Sequence, residues 1–178
     1  DREIIVRDSK EGEEFEALDN KKYKLNKGMC VITDKSSVLG LGGIIGGIKT
    51  STEFDTKNIL LESAYFSPSS IRKTSRELAI NTDAKYRFER GIDPNSVSEG
   101  LHVATDLILK ICGGEASKFT ICGKNSQKNK IINFDVNNFE NLIGIPISIN
   151  EAQKILISLG FICNKGKKNL KIEIPSWR

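Results

Sequence analysis

The amino-acid sequence predicts an α+β protein of two domains, and three observations lead to this prediction. Short β-rich runs separated by polar turns fill the first third of the chain. Capped segments with helical periodicity follow from residue 67. A polar stretch without periodicity, residues 122–130, precedes a second set of elements. We therefore predict a mixed or antiparallel sheet with packed helices over residues 1–123, and a small α/β domain of order β-α-α-β-β over residues 127–178.

The strands of the first domain are predicted from runs of branched and aromatic residues. Four short runs are typical of strands: residues 3–7, 22–25, 30–33 and 38–41. The last run leads into the glycine-rich stretch GLGGIIGGIKTS, residues 40–51. NILLESAYF, residues 58–66, predicts a strong buried strand, in which apolar residues flank the single charge of Glu62.

Two helices of the first domain are predicted from caps and periodicity. Ser67 and Pro68 are typical of an N-cap and a first helical position. Residues 94–114 predict the clearest helix, because apolar residues recur with a 3.6-residue period until two glycines end it. Residues 118–121 predict a strand that closes the domain.

The second domain has its own local signals. Residues 131–136 predict a strand, and residues 137–144 a short helix. Residues 148–160 predict a capped helix that ends at a glycine, and residues 161–175 predict a hairpin with a Lys-Gly turn. We expect this domain to be structural or similar to nucleic-acid-binding domains.

Composition bounds the class of protein. The 178 residues include 27 basic and 23 acidic residues, a mildly basic balance that is compatible with RNA. No apolar run is long enough for a membrane helix, so we expect a cytoplasmic protein without a membrane partner. The four cysteines lie in or beside apolar runs, which predicts buried free thiols in a reducing compartment. With the single histidine His102 and no pair of cysteines at ligand spacing, a zinc site is not expected.

The glycine-rich stretch nearly matches two phosphate-binding patterns and satisfies neither. The P-loop pattern requires lysine directly after Gly47, but Ile48 stands there and Lys49 comes one residue late. The dinucleotide pattern requires a glycine at position 45, which is isoleucine. A tight bend in which backbone passes close to another group is the better interpretation.

Three further stretches could carry chemistry. Glu62 lies either at a pocket or on the solvent face of its predicted strand, and the residues favour neither. In residues 81–94, Thr82 and Asp83 are typical of a turn or helix cap. The charges of Arg87, Glu89 and Arg90 around Phe88 favour an ion-pair network. RKTSRE, residues 72–77, suits either phosphate contact or an exposed helix face.

These stretches together resemble a known family. GGIIGG followed by TKNILLESAYFSPSSIRKTSRELAINTDAKYRFERGIDP resembles the central tRNA-editing module of the beta subunit of bacterial phenylalanyl-tRNA synthetases. IINFDV, LIGIPIS, ILISLGF and IPSWR resemble the small domain that follows in that subunit. The two matches cover nearly the whole chain in the family's order. The chain also lacks an initiator methionine, which indicates a piece of a longer polypeptide.

The resemblance implies an activity and a pocket. The family's alpha-2 beta-2 enzyme joins phenylalanine to tRNA(Phe) with ATP and magnesium, and the editing module hydrolyses mischarged tyrosyl-tRNA(Phe). Glu62 matches the glutamate that recognises the tyrosine hydroxyl, Thr82 and Ala84 match residues of the pocket wall, and Gly43 is our choice for a backbone contact.

The departures from the family limit what is carried over. The family's pocket histidine lies upstream of residue 1, so the editing module is expected to be N-terminally incomplete. The family's magnesium-binding acids lie beyond residue 178, so we expect neither metal nor ATP on this piece. Its catalytic residues stay unassigned. The alternative is a non-catalytic piece that only holds tRNA or the alpha subunit.

Overall fold

A computed structural model describes residues 3–123, 129–166 and 169–178. The chain divides into two compact units, residues 1–92 with 96–118 and residues 93–95 with 119–178. The predicted boundary between residues 123 and 127 falls on residues 124–128, which lie outside the described residues, so those limits stay a prediction. No helix in the described part of the chain is both long and apolar enough to cross a bilayer.

The described part of the first unit begins with six short strands and one turn of 3-10 helix. The strands are β1 (Ile5–Asp8), β2 (Glu13–Glu16), β3 (Lys22–Leu25), β4 (Cys30–Thr33), β5 (Val38–Leu41) and β6 (Ile45–Gly46). The main sheet has the order β1-β4-β5-β6, β2 pairs with β3, and every pair is antiparallel. The 3-10 turn follows at Ile48–Thr50. The predicted mixed or antiparallel sheet is thus confirmed in its antiparallel form.

The core of the first unit follows from alternation along these strands. On β4, Val31 and Thr33 are fully buried while Ile32 between them is half-buried, as expected for a sheet with one covered face. The cluster of buried apolar residues comprises Phe15, Ala17, Leu25, Met29, Val31, Val38, Leu41, Ile44, Phe66, Ile71 and Ile80. Strands and helices of the first unit therefore share one core.

Three helices complete this unit: α1 (Pro68–Glu77), α2 (Asp83–Phe88) and α3 (Ser96–Cys112). Ser67 is the N-cap position of α1 and Pro68 its first residue, as predicted. The α3 helix is also confirmed, but none of its residues is fully buried. Its apolar stripe is half-buried at Val97, Leu101, Ala104 and Ile108, and exposed at Ile111.

Two predicted strands are wrong. Residues 58–66 and 118–121 have no regular secondary structure. A strand needs a hydrogen-bonded neighbour, and no pairing in the described part of the chain involves either segment. Leu60 is 69% exposed and Ile121 76% exposed, so apolar content alone misled the prediction.

The cysteine prediction is partly wrong. All four cysteines are free thiols, as expected. Cys112 and Cys122 are exposed rather than buried, and Cys30 and Cys163 are half-buried.

The second unit has the predicted order β-α-α-β-β. Its elements are β7 (Ile131–Asp135), α4 (Val136–Ile143), α5 (Ile149–Ser158), β8 (Ile162–Lys165) and β9 (Asn169–Glu173). The three strands form an antiparallel sheet of order β7-β9-β8. Asp135 and Ser148 cap α4 and α5 through their side-chain oxygens, and Gly144 ends α4 in the left-handed region. Ala152, Leu170 and Ile172 form a small core between α5 and the sheet.

Candidate functional site

The bend between β5 and β6 brings backbone into close contact with the core. The amide of Gly42 donates to the carbonyl of Cys30 at 3.0 Å. Gly43 has φ of 67°, which favours glycine, and a methyl group there would lie 2.8 Å from Cδ2 of Phe66 and 2.9 Å from Cδ1 of Ile71. The tight bend predicted from the sequence is therefore required by both conformation and space.

An aromatic pair covers this bend. The rings of Phe66 and Phe88 meet edge to face with centroids 5.3 Å apart. A methyl group added to Gly43 would also lie 3.2 Å from Cγ of Phe88. Protein atoms thus fill the side of Gly43 from which a side chain would project, and a ligand would meet its peptide groups from another side.

The structure around Lys49 differs from that of a phosphate-binding P-loop. Lys49 is exposed in the short 3-10 turn, and residues 51–66 contain no helix. A P-loop places its glycines at the N-terminus of an α-helix, whose amides bind phosphate. The described residues after these glycines form no such helix.

Thr82 ties α2 to the bend. It is the N-cap of α2, where its Oγ1 accepts from the amide of Lys85 at 3.1 Å. The same hydroxyl donates to the carbonyl of Ile44 at 2.7 Å. Because Ile44 follows Gly43 directly, the structure brings two of the four predicted site residues together.

Glu62 lies in the irregular segment and keeps an exposed surface, yet protein around its carboxyl group desolvates it and raises its pKa. Burial is the main cause of the raised pKa of the Cys30 thiol, and the negative charges of Asp8 and Glu62 raise it further. The Glu62 carboxylate therefore lies near enough to Cys30, beside Gly42, to act on it electrostatically.

Ala84 is placed on the first turn of α2 and is exposed. It lies four residues before Phe88, so the two share a face of the helix. The described chain does not enclose Ala84 in a cavity. A depression of about 190 Å³ lies in the second unit against Pro94, Lys130 and Pro175, and none of the four candidates lines it.

The charges around Phe88 form the ion-pair network that the sequence favoured, with one different member. Glu89 pairs with Lys85 at 3.2 Å and with Arg90 at 3.0 Å, whereas the prediction placed Arg87 in this network. The hydrogen bond from Lys85 is the main reason that the pKa of Glu89 is lowered. Lys85 and Glu89 meet because they lie four residues apart at the end of α2.

Three residues that shape this site were not predicted from the sequence: Cys30, Phe66 and Phe88. The signal that could have been used is residue type, because Phe66 and Phe88 are large apolar side chains of the kind that favours burial. In the described part of the chain, no three histidine, cysteine or acidic side chains lie close enough together to hold a metal ion.

Two family models match this chain. The family model described as the B3/4 domain matches residues 1–113. The chain belongs to the B3/4 domain family. A second model, the tRNA synthetase B5 domain, matches residues 132–178. All four candidate residues lie in the B3/4 match.

The similar proteins agree with this family. A phenylalanine–tRNA ligase beta subunit of Brucella suis biovar 1 is 39% identical over 175 residues, which are 98% of this chain and 22% of that protein. The beta subunit of Rhodopseudomonas palustris is 40% identical over 175 residues, and that of the Wolbachia of Brugia malayi 37% over 176 residues. The chain thus spans about a fifth of the length of these relatives. The resemblance predicted from the sequence is confirmed.

Proposed function

We propose that this chain is the editing part of a phenylalanine–tRNA ligase beta subunit and hydrolyses tyrosyl-tRNA(Phe). The observation that carries this proposal is the carboxylate of Glu62, which has no partner among the described residues and is held near the bend on which Gly43 and Thr82 meet. The similarity to proteins named phenylalanine–tRNA ligase beta subunit supplies the substrate class.

Glu62 is the proposed acceptor for the tyrosine hydroxyl. Desolvation is the only cause of its raised pKa, and no hydrogen bond or ion pair in the described chain occupies its carboxylate. A tyrosine hydroxyl would donate a charge-assisted hydrogen bond to it. Phenylalanine would cover the carboxylate without supplying a donor, so the same group rejects it.

The other three candidates give the pocket its shape. Thr82 already donates to Ile44 and accepts from Lys85, so its proposed role is to position the bend rather than to bind substrate. Gly43 offers peptide groups, and the methyl of Ala84 leaves room for a ring at the start of α2.

The proposed reaction is ester hydrolysis. The oxygen of a water molecule bonds to the aminoacyl carbonyl carbon, the bond from that carbon to the ribose oxygen breaks, and the ribose oxygen leaves with a proton. We assign no general base in this chain. Positioning of the water and the neighbouring ribose hydroxyl would supply the rate enhancement.

The remaining properties belong to the longer protein. We propose that it acts with an alpha subunit in an alpha-2 beta-2 tetramer in the cytoplasm, and that it uses ATP and magnesium to charge tRNA(Phe). The described residues do not fit magnesium, because they contain no converging set of metal ligands. They do not fit ATP either, because the glycine-rich stretch is not followed by the helix of a phosphate-binding loop.

A second function is favoured by one observation. Phe66 and Ile71 fill the side of Gly43 from which a side chain would project, and Ala84 is exposed rather than enclosed. This arrangement suits a module that holds tRNA or the alpha subunit without catalysis. Such a module would bind tRNA(Phe) and leave tyrosyl-tRNA(Phe) intact.

The test is hydrolysis of tyrosyl-tRNA(Phe) by the full-length protein that contains this chain. Ala84→Trp would fill the proposed ring site and lower the hydrolysis rate by about a hundredfold, because misplaced substrate loses its alignment with water. The control is Ala116→Trp, the same substitution at an exposed position outside the site, which should change the rate less than about twofold. Equal rates in the two variants would refute the pocket, and an inactive wild type would support the second function.

A further inference from the structure

The outer face of α1 carries a stripe of three cations. Arg72, Lys73 and Arg76 are all exposed, and their spacing of three and four residues places them on one side of the helix. The opposite side of α1 buries Ile71 and Thr74. We call Arg72, Lys73 and Arg76 the α1 basic stripe.

The stripe is not neutralised locally. Residues 67–92 contain six basic and three acidic residues. Glu89 is already engaged by Lys85 and Arg90, and Glu77 forms no ion pair with a cation of the stripe in the described chain. Lys73 and Arg76 have no ion pair with any described residue. Their charge is free for a polyanion.

The α2 helix extends the stripe with an aromatic ring. The Nη2 of Arg72 donates to the carbonyl of Glu89 at 3.0 Å, which joins the stripe to the end of α2. The next residue, Arg90, lies over the ring of Tyr86 at 3.6 Å, and Tyr86 is 56% exposed. Cations beside an exposed aromatic ring are typical of nucleic-acid surfaces, where phosphates meet the cations and a base stacks on the ring. An acidic protein partner would not need the ring.

The inner sides of the same two helices contact the candidate site. Ile71 of α1 and Phe88 of α2 pack on Gly43, and Thr82 at the start of α2 holds the carbonyl of Ile44. The cationic surface therefore lies on the elements that build the proposed pocket, where the backbone of a bound aminoacyl-tRNA must pass.

We propose that the α1 basic stripe, with Tyr86 and Arg90, binds the phosphate backbone of the tRNA acceptor end and positions the aminoacyl ester at the pocket. This inference rests on the proposed function for the choice of tRNA. The stripe acts through charge and carries no base-specific information. Arg72, Lys73 and Arg76 are thus positioning residues for the hydrolysis.

The first experiment measures the affinity of the full-length protein that contains this chain for a fluorescent tRNA(Phe) transcript over a range of salt concentrations. Lys73→Gln/Arg76→Gln should weaken binding about tenfold at low salt and make the slope of log K against log salt shallower by about two, because each removed cation leaves one phosphate without its partner. The matched control is Lys22→Gln/Lys24→Gln, which removes two exposed charges from β3 and should leave both quantities within about twofold of wild type. Circular dichroism verifies that both pairs fold.

The second measurement separates stacking from charge. Tyr86→Leu should weaken binding about fivefold with an unchanged salt slope, whereas Tyr86→Phe keeps the ring and the affinity. Equal weakening by the α1 and β3 pairs, or no effect of the α1 pair, would overturn the proposed surface.

Hydrolysis of tyrosyl-tRNA(Phe) by the full-length protein tests the α1 basic stripe separately from the proposed editing activity. If the wild type hydrolyses the ester and the α1 pair does so with unchanged KM and kcat, the surface is refuted and the function stands. If the wild type does not hydrolyse it but tRNA binding still depends on the α1 pair, the function is refuted and the surface stands. A raised KM with a retained kcat supports both.

Discussion

The glycine bend and the segment of residues 58–65 lie in the same unit, yet one is packed and the other is open. Gly43 touches Phe66, Ile71 and Phe88, so that even a methyl group has no room. In the open segment, Leu60 is 69% exposed and Glu62 has no described partner. The packed region fixes the geometry of the bend, whereas the open segment leaves the Glu62 carboxylate without a partner in the described chain.

The largest effect should come from removing the ring that covers the bend. Phe66→Ala should lower the free energy of unfolding of the first unit by about 4 kcal/mol, because it leaves a cavity against Gly43 and Ile71. The control is Phe54→Ala, which removes a fully exposed ring and should cost less than about 0.5 kcal/mol.

Urea unfolding followed by circular dichroism and tyrosine fluorescence measures this difference. All three tyrosines lie in the first unit, and the only tryptophan, Trp177, lies in the second and reports on it separately. Equal losses for the two phenylalanine variants would show that the bend is not packed as described.

Gly43→Ala should have the next largest effect, a loss of about 3 kcal/mol. The new methyl group adds a clash with Phe66 and Ile71 to the strain of a positive φ. Gly28→Ala is the control, because Gly28 has φ of 90° but open space around it, so only the strain of about 1 kcal/mol remains. The same unfolding assay compares them, and a Gly43 variant no worse than the Gly28 variant would contradict close packing.

Thr82→Val should cost about 1 to 2 kcal/mol. Valine keeps the shape but loses the oxygen that caps α2 and holds the carbonyl of Ile44. Thr82→Ser retains that oxygen and should stay within about 0.5 kcal/mol of wild type in urea unfolding. If serine and valine cost the same, the hydroxyl does not tie the two regions together.

The smallest effects are two opposite dependences on pH. The Arg7 guanidinium hydrogen-bonds Glu13 and lowers the pKa of that carboxyl to about 2 from the ordinary 4.5. The ionised form is stabilised in the fold, so its contribution of about 1 kcal/mol is present above pH 4.5 and is lost as pH falls towards 2. The difference in stability between wild type and Glu13→Gln should shrink over that interval.

Glu62 should give the opposite sign. Its raised pKa means that the folded state disfavours the ionised form, so its charge destabilises the fold above that pKa. Glu62→Gln should therefore be slightly more stable than wild type at neutral pH. This advantage should vanish as pH falls through the raised pKa towards the ordinary 4.5. An advantage that grows on acidification would show that Glu62 has a stabilising partner.

The fold could be predicted wherever local signals decide it. The caps at Asp135 and Ser148 and the glycine after α4 fix the second unit, and its predicted order is confirmed. The strand predicted over residues 58–66 is wrong because strand pairing depends on a neighbouring strand and not only on local sequence. In the described chain, no strand pairs with these residues.

The site could be predicted only in part. The cap role of Thr82 and the bend at Gly43 follow from residue type and spacing. The contacts of Gly43 with Phe66 and Phe88 join residues more than twenty positions apart, which spacing does not show. The roles of Glu62 and Ala84 in a pocket stay predictions that rest on the family.

The most direct measurement is the ratio of hydrolysis rates for tyrosyl-tRNA(Phe) and phenylalanyl-tRNA(Phe), in wild type and in Glu62→Gln of the full-length protein. The control is Glu53→Gln, which changes an exposed glutamate outside the site. If Glu62 recognises the hydroxyl, the wild type and the control prefer tyrosine strongly, and Glu62→Gln loses at least about tenfold of that preference. An unchanged preference in Glu62→Gln would contradict the assignment of the open segment to substrate recognition.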